Sequence, residues 1–170
     1  MNLFILRHGI AADLGDPGLP KDLTDADRPL TAKGKKKLWR ATGAMQALGL
    51  RFDVVLSSPL LRAMQTAQIV AGAMELRKKL VLTDSLAPGG SPKALIDQIN
   101  QLEPRAKNIL LVGHEPYLSK FIALLTTGNT SAELELKKGG LAKMETPRLR
   151  YVRCAMLSWL LTPKQLSLMA

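Results

Sequence analysis

Apolar residues fall along this chain in two patterns. Asn2-Leu3-Phe4-Ile5-Leu6 and Asn108-Ile109-Leu110-Leu111-Val112 are unbroken apolar runs behind a polar residue, the mark of strands buried on both faces. Asp53-Val54-Val55-Leu56 is a third such strand, and Lys79 to Leu82 a peripheral fourth. Between them apolar residues recur at helical steps. Leu38, Ala41, Met45 and Leu48 follow Thr31; Ala63, Ala67, Val70 and Met74 follow Ser57-Ser58-Pro59; Leu95, Ile96, Ile99 and Leu102 follow Ser91-Pro92; and Leu118, Ile122 and Leu125 mark a helix over Pro116 to Leu125. Thr31, Ser58 and Ser91 are the predicted N-caps, with Pro59 and Pro92 at the first helical positions. Leu134 to Leu136, Leu141 to Met144 and Met156 to Leu161 are expected as edge strands. Strands alternating with helices predict an α/β fold: one domain over residues 1–170, a three-layer sandwich with a mostly parallel sheet flanked by helices.

The places where the apolar runs stop carry the chemistry. The first run ends in Arg7-His8-Gly9 and the last in Gly113-His114, which are the only two histidines of the chain. In open α/β sheets ligands bind beyond the carboxyl ends of the strands, and Gly9 suits a sharp turn or a close backbone approach to a ligand. A neutral imidazole is a competent nucleophile, and a guanidinium beside it offers forked donors to phosphate oxygens. His8 and Arg7 therefore suggest phosphoryl transfer onto histidine. Arg62 falls in the first turn of the second helix, where free backbone N–H groups already favour an anion. From Ile10 to Pro29 the chain is rich in Asp, Gly and Pro, so a long loop leaves the site and closes at Arg28-Pro29-Leu30-Thr31.

Composition narrows the classes. Apolar residues make up 46% of 170 residues, enough for a packed core, and the longest apolar runs fall far short of a bilayer span. The single Cys154 permits no internal disulfide and fits a reducing cytoplasm, the expected location. Net charge is +10, and the segment from Lys137 onward holds seven basic residues and one acid, or +6 of that total. Nucleic-acid binding is disfavoured, because aromatic residues are only 4% and no stacking platform accompanies the charge. Two histidines without a cysteine or acidic cluster make no metal site, and no serine elbow or Walker-type loop points to another hydrolase class. No cofactor and no metal are expected.

Three stretches together resemble one family. Leu6-Arg7-His8-Gly9, Ser57-Ser58-Pro59-Leu60-Leu61-Arg62-Ala63-Met64-Gln65-Thr66 and Val112-Gly113-His114-Glu115-Pro116 stand in the order found in the histidine phosphatase superfamily, and the short chain is most similar to its small phosphohistidine-phosphatase branch. The resemblance implies that His8 attacks phosphorus and is transiently phosphorylated. It also implies that Arg7, Gly9, Arg28, Arg62 and His114 hold the phosphoryl group, with His114 acting best as an imidazolium while a phosphate offsets the repulsion of its neighbours. Many relatives carry Glu where this chain has Ser85, which leaves Asp84 as the nearest general-acid candidate and Asp13 as a second. The expected partner is a phosphorylated protein, with a histidine-phosphotransfer domain as one form, or a small phosphate compound. Three hypotheses follow: a protein phosphohistidine phosphatase, a phosphatase or mutase of small phosphate monoesters, and a non-catalytic anion or nucleic-acid binder.

Overall fold

The computed structural model describes residues 1–102 and 106–170. Six strands form one sheet: β1 (Asn2–Arg7), β2 (Val54–Ser57), β3 (Leu80–Leu82), β4 (Asn108–Gly113), β5 (Leu141–Glu145) and β6 (Met156–Leu161), in the spatial order β3-β2-β4-β1-β5-β6. The first four are mutually parallel; β5 pairs antiparallel with β1, and β6 pairs antiparallel with β5. Helices are α1 (Ala32–Ala47), α2 (Leu61–Ala73), α3 (Pro92–Leu102), α4 (Tyr117–Thr127) and α5 (Pro163–Leu168).

The unbroken apolar runs are explained by helices on both sides of the sheet. Leu3 and Ile5 of β1 pack with Ile109, Leu111 and Leu56 against α3 and α4, while Phe4 and Leu6 pack with Leu110, Val112 and Val55 against α1, α2 and α5. All four β1 side chains are at most 3% exposed. At roughly 1.5–3 kcal/mol per buried side chain, β1 alone contributes about 6–12 kcal/mol of gross burial. That is comparable to the net stability of a domain. Its register against β4 sets Arg7 beside Gly113, so the two histidine-bearing tips emerge side by side.

Local capping follows the sequence at α1, where Thr31 Oγ1 accepts from Gly34 N at 2.9 Å, and at α3, where Ser91 Oγ accepts from Ala94 N at 3.3 Å. It departs from the sequence at α2. Leu60, not Ser58, is the cap residue, and Ser58 Oγ lies 2.8 Å from His114 Nε2. Leu134 to Leu136 forms no strand: its Leu136 carbonyl is taken by Arg7 instead of a neighbouring strand. The helix α5, unforeseen from its apolar pattern, is started by a capping box in which Thr162 and Gln165 satisfy each other's backbone N–H groups. The loop after β1 is pinned by a bridge between Ala11 and Leu30, with Ala12 N donating to Pro29 O at 2.8 Å.

Candidate active site

His8 follows the last residue of β1, and its backbone is held from both sides. Its N–H donates to Gly113 O at 3.0 Å, and its carbonyl accepts from Gly139 N at 3.1 Å. The imidazole is buried, with Nδ1 2.7 Å from Gly9 O. A carbonyl oxygen only accepts, so Nδ1 carries the proton and Nε2 keeps its lone pair. Burial lowers the His8 pKa to about 3; the Gly9 hydrogen bond opposes that, and His114, Arg62 and Arg7 add to it. The ring is therefore neutral, the form a nucleophile requires.

The ring of His114 stands 5.0 Å from that of His8, centroid to centroid, tilted by 52°. It is 2% exposed and its pKa is lowered to about 4, first by burial and then by Arg62, with Asp25 opposing. The imidazolium, expected only while a phosphate offsets its neighbours, is accordingly disfavoured in the free site, where burial and the charges of Arg62 and Arg7 oppose a further positive charge.

Arg7 donates from Nη1 to Leu136 O at 3.0 Å, and its Nε is buried with no protein partner among the described residues. Arg62, second residue of α2, donates from Nη2 to Asp25 Oδ2 at 2.9 Å and from Nη1 to the Asp25 carbonyl. Arg28 reaches the same carboxylate, Nη1 to Asp25 Oδ1 at 3.0 Å, and also binds Ala12 O and Asp13 Oδ1, each at 2.6 Å. Arg28 is thus linked to the pocket through Asp25. Arg28 first and then Arg62 hold the Asp25 carboxyl below its usual range, so it stays ionised.

Three expected residues have other duties or other places. The N–H of Gly9 is taken by Thr66 Oγ1 at 3.1 Å, and a Cβ at Gly9 would lie 2.6 Å from Leu38 Cδ1, so glycine is needed here for the approach of α1. Asp84 is exposed in a single 3-10 turn after β3. The same turn reaches the tip of β4, since a Cβ at Gly113 would lie 3.3 Å from Leu86 O. Asp13 is spent on its ion pair with Arg28.

Asp25, Ser58 and Thr66 are the residues that sequence reasoning passed over. Asp25 is one of five acids in the loop and carries no distinguishing neighbour. Thr66 had a signal, since it stands four residues after Arg62 on the same helix face; its hydroxyl donates to Arg62 O at 2.7 Å while accepting from Gly9 N. Among the described residues no group of three or more His, Cys, Asp or Glu side chains is placed to hold a metal ion.

The structure thus sets two buried neutral histidines beside Arg7 and Arg62, at the carboxyl ends of adjacent parallel strands. The profile of the histidine phosphatase superfamily (branch 1) matches residues 3–87, and the chain is a phosphatase of that superfamily. It is 41% identical over 152 residues to an uncharacterized protein of Picosynechococcus, covering 88% of each chain. It is also 29% identical over 133 residues to the phosphohistidine phosphatase SixA homolog of Haemophilus influenzae, covering 74% of this chain and 77% of that one. The fold is shared with the protein histidine phosphatase SixA complexed with tungstate, at a TM-score of 0.81, 24% identity and coverage of 98% and 99%. It is shared as well with a putative alpha-ribazole-5'-P phosphatase of Escherichia coli, at 0.74, 21% identity and coverage of 96% and 98%.

Proposed function

We propose that the protein removes the phosphoryl group from phosphohistidine on a protein partner, through a phosphohistidine intermediate on His8. The observation that carries this reading is the tautomer of His8: Nδ1–H is tied to Gly9 O, and Nε2 is left free beside Arg7, Arg62 and His114. Nε2 attacks phosphorus, the P–N bond to the substrate imidazole breaks, and that imidazole leaves with the electron pair. Water then attacks the phosphoryl group on His8, releasing inorganic phosphate and regenerating the ring. Charge on the transferred group is spread over three oxygens, so fixed positive groups supply most of the stabilisation.

The leaving group favours phosphohistidine over alkyl esters. An alkoxide needs a proton donor worth roughly 10²–10⁴ in rate, whereas an imidazole, whose conjugate acid titrates near about 6.5, needs far less help. Asp25, the carboxylate shared by Arg28 and Arg62, is held ionised and cannot donate. Asp84 is the proposed donor where one is used, from the exposed turn whose Leu86 carbonyl lies at the tip of β4. The similarity to SixA proteins supports the same substrate class. Among the described residues no helix is long and apolar enough to cross a membrane, in keeping with a cytoplasmic phosphatase acting on a protein, with the basic segment from Lys137 facing acidic surface on that partner.

The test is a panel of phosphorylated substrates: a phosphorylated histidine-phosphotransfer domain, an aryl phosphate, a sugar phosphate and serine phosphate, each with wild-type enzyme and His8→Ala. Efficiency should fall as leaving-group pKa rises, and wild-type enzyme should carry an acid-labile, base-stable phosphoryl group that the variant lacks. Activity retained by His8→Ala would refute the mechanism. Serine phosphate turned over as fast as phosphohistidine would refute the substrate class.

A further inference from the structure

The Ser57-Ser58-Pro59 segment is not accounted for by the phosphatase reading. Ser58 is fully buried, does not cap α2, and sits against the second histidine. Its hydroxyl oxygen has two neighbours. Leu60 N donates to it at 3.3 Å, and His114 Nε2 lies 2.8 Å away.

The direction of the contact with His114 follows from counting protons. The hydroxyl has one proton, and Nε2 is the acceptor at hand for it. If Nε2 carried the ring proton instead, the serine oxygen would receive two donors while its own proton went unused. His114 Nδ1 has no protein partner among the described residues in either tautomer, so the fate of the serine proton decides between them. A buried hydroxyl proton left unused is a cost of the kind that buried polar groups incur when unpaired. With Ser58 O–H donating to Nε2, the ring proton must sit on Nδ1, where it is free to meet a phosphoryl oxygen.

We propose that Ser58 is a positioning residue that fixes the proton of neutral His114 on Nδ1, so that His114 presents an N–H donor to the phosphoryl group held over His8. The two histidines then share one tautomer and use opposite ends of it. His8 works through the lone pair at Nε2, with its Nδ1–H tied to Gly9 O; His114 works through the proton at Nδ1, with its Nε2 tied to Ser58. The positive charge expected of His114 is not required, because a neutral N–H already donates. The ligand named here rests on the phosphatase reading; the tautomer does not, since it is a property of the free protein.

The test uses this separation. Protein labelled with ¹⁵N at histidine has four ring nitrogens to assign, because the chain has two histidines. At neutral pH His114 should show a pyrrole-type Nδ1 and a pyridine-type Nε2. In Ser58→Ala the Nε2–H form should appear, and kcat should fall about 10²-fold, the loss usual for one preorganised donor to a transition-state oxyanion, with little change in KM. Ser58→Thr, which keeps the hydroxyl, should restore the spectrum and most of kcat. His114→Asn, whose amide nitrogen can reach the Nδ1 position, should retain more kcat than His114→Gln. A wild-type spectrum showing Nε2–H or imidazolium for His114 at neutral pH would overturn the proposal, with no variant needed. So would an unchanged His114 tautomer in folded Ser58→Ala. Loss of the phosphatase reading would instead appear as a missing adduct on His8 with the His114 tautomer as stated.

Discussion

Lowering the pH from about 7 to about 5 should strip this protein of roughly 4 kcal/mol of stability, and the two active-site histidines should account for nearly all of it. Both are neutral in the folded state, with pKa values lowered from 6.5 to about 3 for His8 and about 4 for His114, while in the unfolded chain both regain ordinary values. The unfolded state therefore binds more protons as the pH falls. The stability due to the neutral rings is complete above about pH 7.5, begins to go as pH drops through 6.5, and is gone below the folded values. At about pH 5, an unfolded histidine lies 1.5 units below its pKa, and at about 1.36 kcal/mol per unit each ring contributes about 2 kcal/mol of loss. That sum does not depend on the depth of the folded values so long as both lie under 5. Asp25 acts in the same direction, but its unfolded carboxyl titrates near 3.8, so its share is lost at lower pH. Urea unfolding at steps of pH, with extrapolation to water, measures the effect. His8→Asn and His114→Asn should each remove about half of the fall between about pH 7 and 5, whatever they do to absolute stability. A wild-type protein whose stability changes by less than about 1 kcal/mol over that range, or a double variant with the full fall, would refute the burial argument.

Other outcomes follow from the same contacts. Asp25 neutralises Arg28 and Arg62 together, so Asp25→Asn should bind inorganic phosphate or tungstate several-fold more tightly as a competitive inhibitor; weaker binding would mean that the carboxylate holds the arginines in their binding geometry. Gly9→Ala should cost about 1–3 kcal/mol through overpacking on Leu38, and Leu38→Ala in the same chain should recover part of it, as a double-mutant cycle on denaturation midpoints would report. Thr162→Ala should lose about 1 kcal/mol by removing the capping box of α5.

The strands and four of the helices are legible in the sequence because burial on both faces leaves unbroken apolar runs, and one-sided burial leaves steps of three and four. His8, Arg7, Arg62 and His114 are legible because each stands at the end of such a run or in the turn after it. What escapes pattern is side-chain traffic across the fold. Ser58 before Pro59 is a capping signal by every local rule, yet the tertiary partner His114 takes its hydroxyl and α2 starts two residues later than the cap would allow. Leu134 to Leu136 looks like an edge strand, but a buried guanidinium competes for its carbonyl. Asp25 is indistinguishable from its loop neighbours until the loop folds back 37 residues to Arg62. Helix α5 is too short to show a period and announces itself only in its cap.

The pairing of β1 bears on how the chain comes into being. Its partners are β4 and β5, which begin 106 and 139 positions after β1 does. During synthesis at roughly 5–20 residues per second, the strand that carries His8 waits on the order of ten seconds before either neighbour exists. Through that interval Leu3, Phe4, Ile5 and Leu6 are a flat apolar segment with two open edges, the kind of surface that holding chaperones and neighbouring nascent chains find first. Contacts this distant in sequence also slow the search for them. The strand that carries His8 is thus made well before either of its partners, and the two histidines come together only once β4 and β5 have followed it.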